Sequence, residues 1–254
     1  MKTTGNTILI TGGASGIGRE LAERFNAQGN RVIIAGRSRE RLDAVTSANA
    51  GILGYVLDVG NKDAVAAFAK RVVAEHPDIN VLVNNAGIMV AEDVARARDL
   101  SDAEATIATN LLGPIRLTNA LIDHLSTKSD AAIVNVSSGL AFVPLVATPT
   151  YCATKAAIHS YTVSLREALR GRVEVIELVP PAVQTELTPG QSTRDGYMPL
   201  DAFRAEVMRL FARLPTPPEI LVERVGFLRH AEAEGRFEEA LTALNDLARG
   251  QVPK

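Results

Sequence analysis

Thr7-Ile8-Leu9-Ile10, followed at once by Thr11-Gly12-Gly13-Ala14-Ser15-Gly16-Ile17-Gly18, is the stretch that decides the fold. Its first part is a short β-branched run and reads as a buried strand. Its second part is a glycine-rich turn. Ile17, Leu21 and Phe25 then fall at spacings of four, the stripe of a helix that stops at Gly29, and Arg31-Val32-Ile33-Ile34-Ala35 is a second strand. Strand, glycine turn, helix and strand within about 30 residues make a βαβ unit, which demands a parallel sheet. Glycines at this point let the chain turn tightly. They also let a diphosphate approach the backbone at the helix N-terminus, where free N–H groups and the helix dipole favour anions. Glycines also end strands without binding anything, but their placement between strand and helix favours a dinucleotide site.

The alternation continues outward from this unit. Ser38 to Ala48 reads as a helix, and Ile52 to Leu57 as a strand ending at Asp58. Asn61 caps a helix whose apolar face is Val65, Phe68 and Val72. Ile79 to Val83 is a strand that runs into Asn84-Asn85-Ala86-Gly87. Ser101-x-x-Glu104 has the form of a capping box opening a long helix, and Pro114 inside that helix predicts a kink one turn earlier, near Asn110. Ala131 to Val136 is a fifth strand, Tyr151 to Arg170 a long helix, and Val173 to Val179 a sixth strand. Strands alternating with helices specify an α/β, doubly wound parallel sheet of the Rossmann type, with ligands gathered at the carboxyl ends of the strands. After strand six, Thr188 to Pro199 reads as a mobile loop rich in Gly, Pro and polar residues. Ala202, Phe203, Val207, Leu210 and Phe211 mark an amphipathic helix. Thr216-Pro217-Pro218-Glu219 reads as a capping box with Pro at the first helical position, opening a helix to Gly235. Phe237, Leu241 and Leu244 predict a last helix ending at Gly250. The expectation is one domain over residues 1–254, six strands with no seventh, and a substrate loop and helical tail over 186–254.

Composition narrows the function classes. A net charge of −2 argues against a nucleic-acid surface, which needs a basic face. The sequence has no apolar run near the ~18–20 residues of a membrane span. Met1 to Asn6 leads straight into a strand and leaves no room for a signal peptide. The single cysteine, Cys152, makes no internal disulfide, which fits a reducing compartment, so a cytoplasmic location is expected. His76, His124, His159 and His230 have no metal-ligand spacing. Cys152 reads as a buried structural thiol and His159 as an interface or core histidine.

Chemistry enters with Tyr151 and Lys155. Four residues is about one helical turn, so both side chains share a face. A phenol ionises near pH 10, too high for easy proton loss at neutral pH, and a cation within roughly 4–6 Å lowers that value. The pair is therefore read as an acid–base device. Ser138, thirteen positions earlier at the mouth of strand five, can hold a carbonyl oxygen beside the phenol. Its neighbour Ser137 is turned the other way by strand alternation.

Thr11-Gly-x-x-x-Gly-Ile-Gly18, Asn84-Asn-Ala-Gly87, Asn110, Ser138 and Tyr151-x-x-x-Lys155, in this order, resemble the classical short-chain dehydrogenase/reductases over about residues 5–187. The C-terminal part, with Pro180-Pro181-Ala182-Val183-Gln184-Thr185-Glu186-Leu187, is similar to DltE-like oxidoreductases of bacteria.

The resemblance implies roles for these residues. Tyr151 is the general acid/base. Lys155 lowers its pKa and binds the nicotinamide ribose hydroxyls. Ser138 orients the substrate carbonyl, and Asn110 holds a water in a proton relay to Lys155. Gly12, Ser15, Gly16, Ile17 and Gly18 make the phosphate turn, and Asn85, Ala86 and Gly87 pack beside the cofactor. Asp58 and Val59 meet the adenine, and Val183 and Thr185 meet the carboxamide. The usual Pro-Gly is Pro180-Pro181 here, which removes a backbone donor and stiffens the loop.

Cofactor choice is argued from charge. An NAD enzyme wants a carboxylate after strand two to accept from the ribose 2′-hydroxyl. Here Gly36 is followed by Arg37-Ser38-Arg39, so Arg37, with Ser38 beside it, suits a 2′-phosphate and predicts NADP(H). Leu140, Phe142, Val143, Leu145, Met89 and Val90 predict an apolar substrate wall and an apolar ketone or aldehyde. The reading is a carbonyl reductase or alcohol dehydrogenase. The alternative is a cofactor-binding regulatory or sensor protein without turnover. The resemblance also implies a homo-oligomer through the helix that begins at Tyr151, and the missing seventh strand favours a homodimer.

Overall fold

A computed structural model describes residues 1–249 of the chain. Strand β1 is Thr7–Thr11 and helix α1 is Gly16–Ala27. They are followed by β2 (Arg31–Gly36), α2 (Arg39–Ala48), β3 (Ile52–Val56), α3 (Lys62–Glu75) and β4 (Ile79–Asn84). Helix α4 (Ser101–Ile107) passes through a wider, π-helical turn at Ala108–Leu112 into α5 (Gly113–Leu125). Then come β5 (Ala132–Val136), α6 (Pro149–Ala168), β6 (Glu174–Val179), α7 (Leu200–Phe211), β7 (Glu219–Leu221), a short α8 (Gly226–Arg229) and α9 (Phe237–Ala248). The sheet order is β3-β2-β1-β4-β5-β6-β7, and every adjacent pair is parallel.

Burial on both sides explains the near-continuous apolar runs of the strands. Ile8 and Ile10 face α1, α2 and α7, in a core that includes Phe25, Leu42, Phe203 and Phe211. Leu9 faces the other way, into a core with Phe68 and Val72 of α3 and Leu117 and Leu121 of α5. Period-two alternation thus feeds two apolar layers at once. Asn61 caps α3, accepting from the amides of Asp63 and Ala64, and Ser38 caps α2, accepting from Arg41 N. Pro114 sits in the first turn of α5, and the π-helical turn just before it contains Asn110. The irregularity therefore falls where the missing proline donor predicts it.

Several expectations need correction. The sheet has seven strands. Glu219–Leu221 forms β7 along β6, with Ile220 fully buried. Three residues are too few to show alternation, and the residues read as a helix start supply the strand. Thr216 does not cap a helix; its hydroxyl accepts from the Met1 amine at 2.7 Å. The chain after β7 makes only a turn and the four residues of α8, not one helix to Gly235. With β7 present, a missing seventh strand no longer favours a dimer over a larger oligomer. At the other capping box, Ser101 is already helical, and Asp99 accepts from the Ser101 amide at 2.6 Å. The predicted end of the last helix at Gly250 lies outside the described residues. The segment after β6 is held at several points: Gln191 donates to Val183 O at 2.8 Å, and Met198 pairs with Ala182 and Gln184 through the backbone.

Candidate active site

The carboxyl ends of β1, β2, β4, β5 and β6 surround one cleft. Its inner part is lined by Gly12, Ser15, Gly16, Ile17, Arg37, Asn85, Ala86, Gly87, Ser138, Tyr151, Lys155, Pro180, Val183 and Thr185. Its outer part is lined by Gly12, Ser15, Arg37, Ser38, Asp58, Val59, Ala86 and Gly87. The two parts share Gly12, Ser15, Arg37, Ala86 and Gly87 and form one trough from β3 to β6. Of the residues expected to act in catalysis or to hold the cofactor, only Gly18 and Asn110 do not line it. None of the expected substrate wall (Met89, Val90, Leu140, Phe142, Val143 and Leu145) lines it either: Val143, for one, is fully buried against Ala231 and Ala240.

Gly18 acts from beneath. A Cβ there would stand 2.4 Å from Gly12 O and 2.4 Å from Asn85 Nδ2, so only glycine lets α1 press against the turn. Gly12 and Gly16 have φ of +67° and +50°, a region that side chains disfavour. Thr11 locks the turn to β4. Its hydroxyl accepts from the amides of Asn85 and Ala86 at 3.0 and 3.1 Å, while Asn85 Nδ2 donates to Thr11 O at 2.9 Å. The result is a backbone floor at the start of a helix, open to a ligand on one side.

Asn110 is buried and brackets Ile88, accepting from its amide at 2.9 Å and donating to its carbonyl at 2.8 Å. It thereby fixes the chain leaving Gly87, where a Cβ would meet Asn110 Oδ1 at 3.4 Å and Lys155 Nζ at 3.8 Å. Ser138 and Tyr151 are both buried, at 7% exposure each. Ser138 Oγ accepts from Leu140 N at 3.1 Å, and Gly139 N donates to Pro180 O at 2.9 Å, which ties the serine loop to the end of β6. The Ser137 hydroxyl is buried without a partner and Ser137 belongs to the inner lining, so alternation separates the two serines without removing Ser137 from the cleft.

The electrostatics correct one expectation. Lys155 was expected to lower the Tyr151 pKa. Burial instead holds the phenol well above its ordinary value, with the Ser138 hydroxyl acting in the opposite direction. Lys155 Nζ lies 5.5 Å from the centre of the Tyr151 ring and donates to Val136 O at 2.8 Å. Burial brings the amine itself down to about 8. Burial acts against the charged form of each group, which sequence spacing does not reveal, although an amine at about 8 still keeps its proton at pH 7. Cys152 is a buried thiol that burial pushes up, against Leu145 and Thr148. It does not line the cleft.

One residue on the rim escaped the sequence reading. Arg41 lines both parts of the cleft, one helical turn beyond Arg37 and, like it, exposed. The spacing of four was the available signal. Two guanidinium groups at the outer end, a glycine floor in the middle and a Ser–Tyr–Lys cluster at the inner end fit a long ligand bearing phosphates at one end and a reacting group at the other.

The fold and this cleft define a nucleotide-site α/β protein with an acid–base cluster at the end of the trough. The sequence matches the short chain dehydrogenase family over residues 6–195, and the chain belongs to that family. It is 40% identical over 252 residues to the uncharacterized oxidoreductase DltE of Bacillus subtilis (strain 168), covering 96% of this chain and 100% of that one. It superposes with a TM-score of 0.82 on a short chain dehydrogenase from Burkholderia cenocepacia J2315 in complex with NADP, at 26% identity, covering 96% and 99% of the two chains. A 3-ketoacyl-(acyl-carrier-protein) reductase from Brucella melitensis, complexed with NADH, gives a TM-score of 0.77 at 25% identity, covering 86% of this chain and 96% of that one.

Proposed function

We propose that this oxidoreductase uses NADP(H) to interconvert a carbonyl compound and an alcohol. The observation that carries the reading is the convergence of Ser138, Tyr151 and Lys155 on the same cleft as the glycine turn and Arg37. The bound nicotinamide supplies or takes the hydride. The protein's residues do the rest. Ser138 holds the substrate oxygen. Tyr151 gives that oxygen a proton in reduction and takes it in oxidation, and Lys155, one helical turn away, would bind the nicotinamide ribose hydroxyls. Asn110 belongs to the proton path by fixing Ile88 and the approach to Lys155. Positioned acid–base groups of this kind are worth roughly 10²- to 10⁴-fold in rate.

Gly12, Ser15, Gly16 and Ile17 take the diphosphate, with Gly18 supporting the turn. Arg37, Ser38 and Arg41 take a 2′-phosphate, and Asp58 and Val59 the adenine. Asn85, Ala86 and Gly87 form the wall, and Pro180, Val183 and Thr185 meet the nicotinamide end. Ile88, Val136 and Leu187, apolar residues that line the inner cleft, support an apolar ketone or aldehyde as substrate. The protein works as one domain over 1–254, in the cytoplasm, as a homo-oligomer joined through α6. No helix among the described residues is long and apolar enough to cross a membrane. The test is NADPH and NADH oxidation against a panel of apolar ketones and aldehydes. Turnover with NADPH preferred supports the reading. Binding of NADPH with no turnover on any carbonyl would leave the alternative, a cofactor-binding regulatory protein.

A further inference from the structure

Among the described residues, one lysine or arginine and one acidic residue are buried as whole residues, side chain and backbone together: Lys155, at 5% exposure, and Glu177, at 0%. They lie close together. Lys155 Nζ donates to the carbonyl of Val136 on β5. Glu177 sits on β6 beside Asn135, the residue before Val136. His159 is one turn beyond Lys155 on α6 and places Nδ1 2.8 Å from Glu177 Oε2. The other carboxylate oxygen, Oε1, is buried and has no hydrogen-bond partner.

Glu177 belongs to a polar row that crosses the sheet. Asn84, Asn135, Glu177 and Glu219 are neighbours in register on β4, β5, β6 and β7. Asn84 donates to Asn135 and Thr118 while its own Oδ1 is buried without a partner, and Asn135 donates to Thr162. Glu219 is held by both Nε and Nη2 of Arg229, at 2.8 and 2.9 Å. His159, Glu177 and Glu219 bring ligand atoms within 4.8 Å of one another, but the Arg229 guanidinium already supplies the cation on that cluster.

We propose that Glu177 is a positioning residue that acts through Lys155, serving as the buried counter-charge that keeps the active-site amine protonated. The charged and titratable groups facing this region are Tyr151 and His159 from α6, Glu177 from β6, Glu219 from β7 and Arg229 from α8. Arg166 of α6 donates to the carbonyls of Val175 and Pro218. Glu219 and Arg229 pair with each other, His159 is hydrogen-bonded to Glu177 itself, and Tyr151 is held neutral by burial. Of the charges in this region, the Glu177 carboxylate is the one that acts on Lys155, through a medium of low polarisability. Its effect on Lys155 opposes that of burial. An opposite charge nearby stabilises the protonated amine, and the loss of a negative charge eases proton loss from Tyr151 and Lys155 alike. The sign is therefore the same whichever group titrates first.

This inference rests on the function proposed above, and its test has one arm that needs no turnover. In Glu177→Gln, the alkaline limb of the rate against pH moves to lower pH by about one unit, while Glu177→Asp, which keeps the charge, stays near the parent. In parallel, the Lys155 midpoint is read by NMR of protein carrying ¹³C-labelled lysine, assigned with Lys155→Met. It falls by a similar amount in Glu177→Gln. If the parent protein turns over no carbonyl, the functional reading fails, and the NMR midpoints still decide the present claim. Coincident midpoints in parent and Glu177→Gln overturn it, as does an equal displacement in Glu177→Asp. If Glu177→Gln does not fold, Glu177→Met, which removes the charge without burying an amide, decides instead: the Lys155 midpoint falls, and an unchanged midpoint refutes the proposal.

Discussion

Replacing Lys155 by methionine should stabilise the protein while removing its activity. The amine is fully buried and titrates at about 8 in the folded chain, against an ordinary value of 10.5. That gap is about 2.5 pH units, and each unit corresponds to about 1.4 kcal/mol. At pH 7 the proton is bound in both states, so holding the charge inside destabilises the fold by roughly 3 kcal/mol. Methionine is of similar length and uncharged. It forfeits the bond to Val136 O, a net loss of about 1 kcal/mol. The expected gain is roughly 2 kcal/mol, or about 5 °C in Tm for a chain of this size. The pH dependence carries its own sign. Below pH 8 the penalty is complete. Between 8 and 10.5 the unfolded chain keeps a proton that the folded one has released, so parent stability rises with pH across that window. Above the ordinary value both states are neutral and the penalty is gone. Urea unfolding of parent and variant without cofactor, from pH 6.5 to 10.5, measures this. A variant no more stable than the parent at pH 7, or a stability difference that does not shrink with rising pH, would refute the reasoning.

Other outcomes follow from the same geometry. Arg37→Asp should weaken NADPH binding by roughly 10- to 100-fold, the worth of charge-assisted hydrogen bonds, and should favour NADH; Arg41→Ala should weaken NADPH less. Fluorescence titration checks both, and a parent with equal affinity for the two cofactors would refute the charge argument. Gly18→Ala drives a methyl into Gly12 O and Asn85, so stability should fall by about 1–3 kcal/mol, with cofactor affinity falling too. Gly226→Ala, whose methyl meets only His230 at 3.6 Å, is the control and should melt near the parent.

Features with a local cause were legible in the sequence. The glycine turn, the Asn61 cap and the π-helical turn before Pro114 each follow from residues within a few positions of one another, as does the shared helix face of Tyr151 and Lys155. What needed distant contacts was not legible. β7 is three residues long and owes its existence to pairing with β6, while the Thr-Pro-Pro-Glu pattern before it suggested a helix. Thr216 was free to be read as a cap because its partner, Met1, is 215 positions away. Arg41 belongs to the cleft because the first turn of α2 borders it, a placement that depends on the fold. The phenol was expected to be acidic because its neighbour is a cation. Burial outweighs that neighbour, and burial is a property of the whole fold. Nothing in the sequence marked Glu177 within strand six, and only the register of β5, β6 and β7 sets it beside Asn135, next to the residue that Lys155 bonds.

The central claim is that one phenol oxygen exchanges the proton in a hydride-transfer reaction. Tyr151→Phe removes that oxygen and leaves the ring, the glycine turn and Arg37 in place. Measured side by side with the parent under saturating NADPH and a reactive ketone, turnover should fall by roughly 10²- to 10⁴-fold while NADPH affinity stays close to the parent's. A variant that reduces the ketone at the parent's rate would contradict the account.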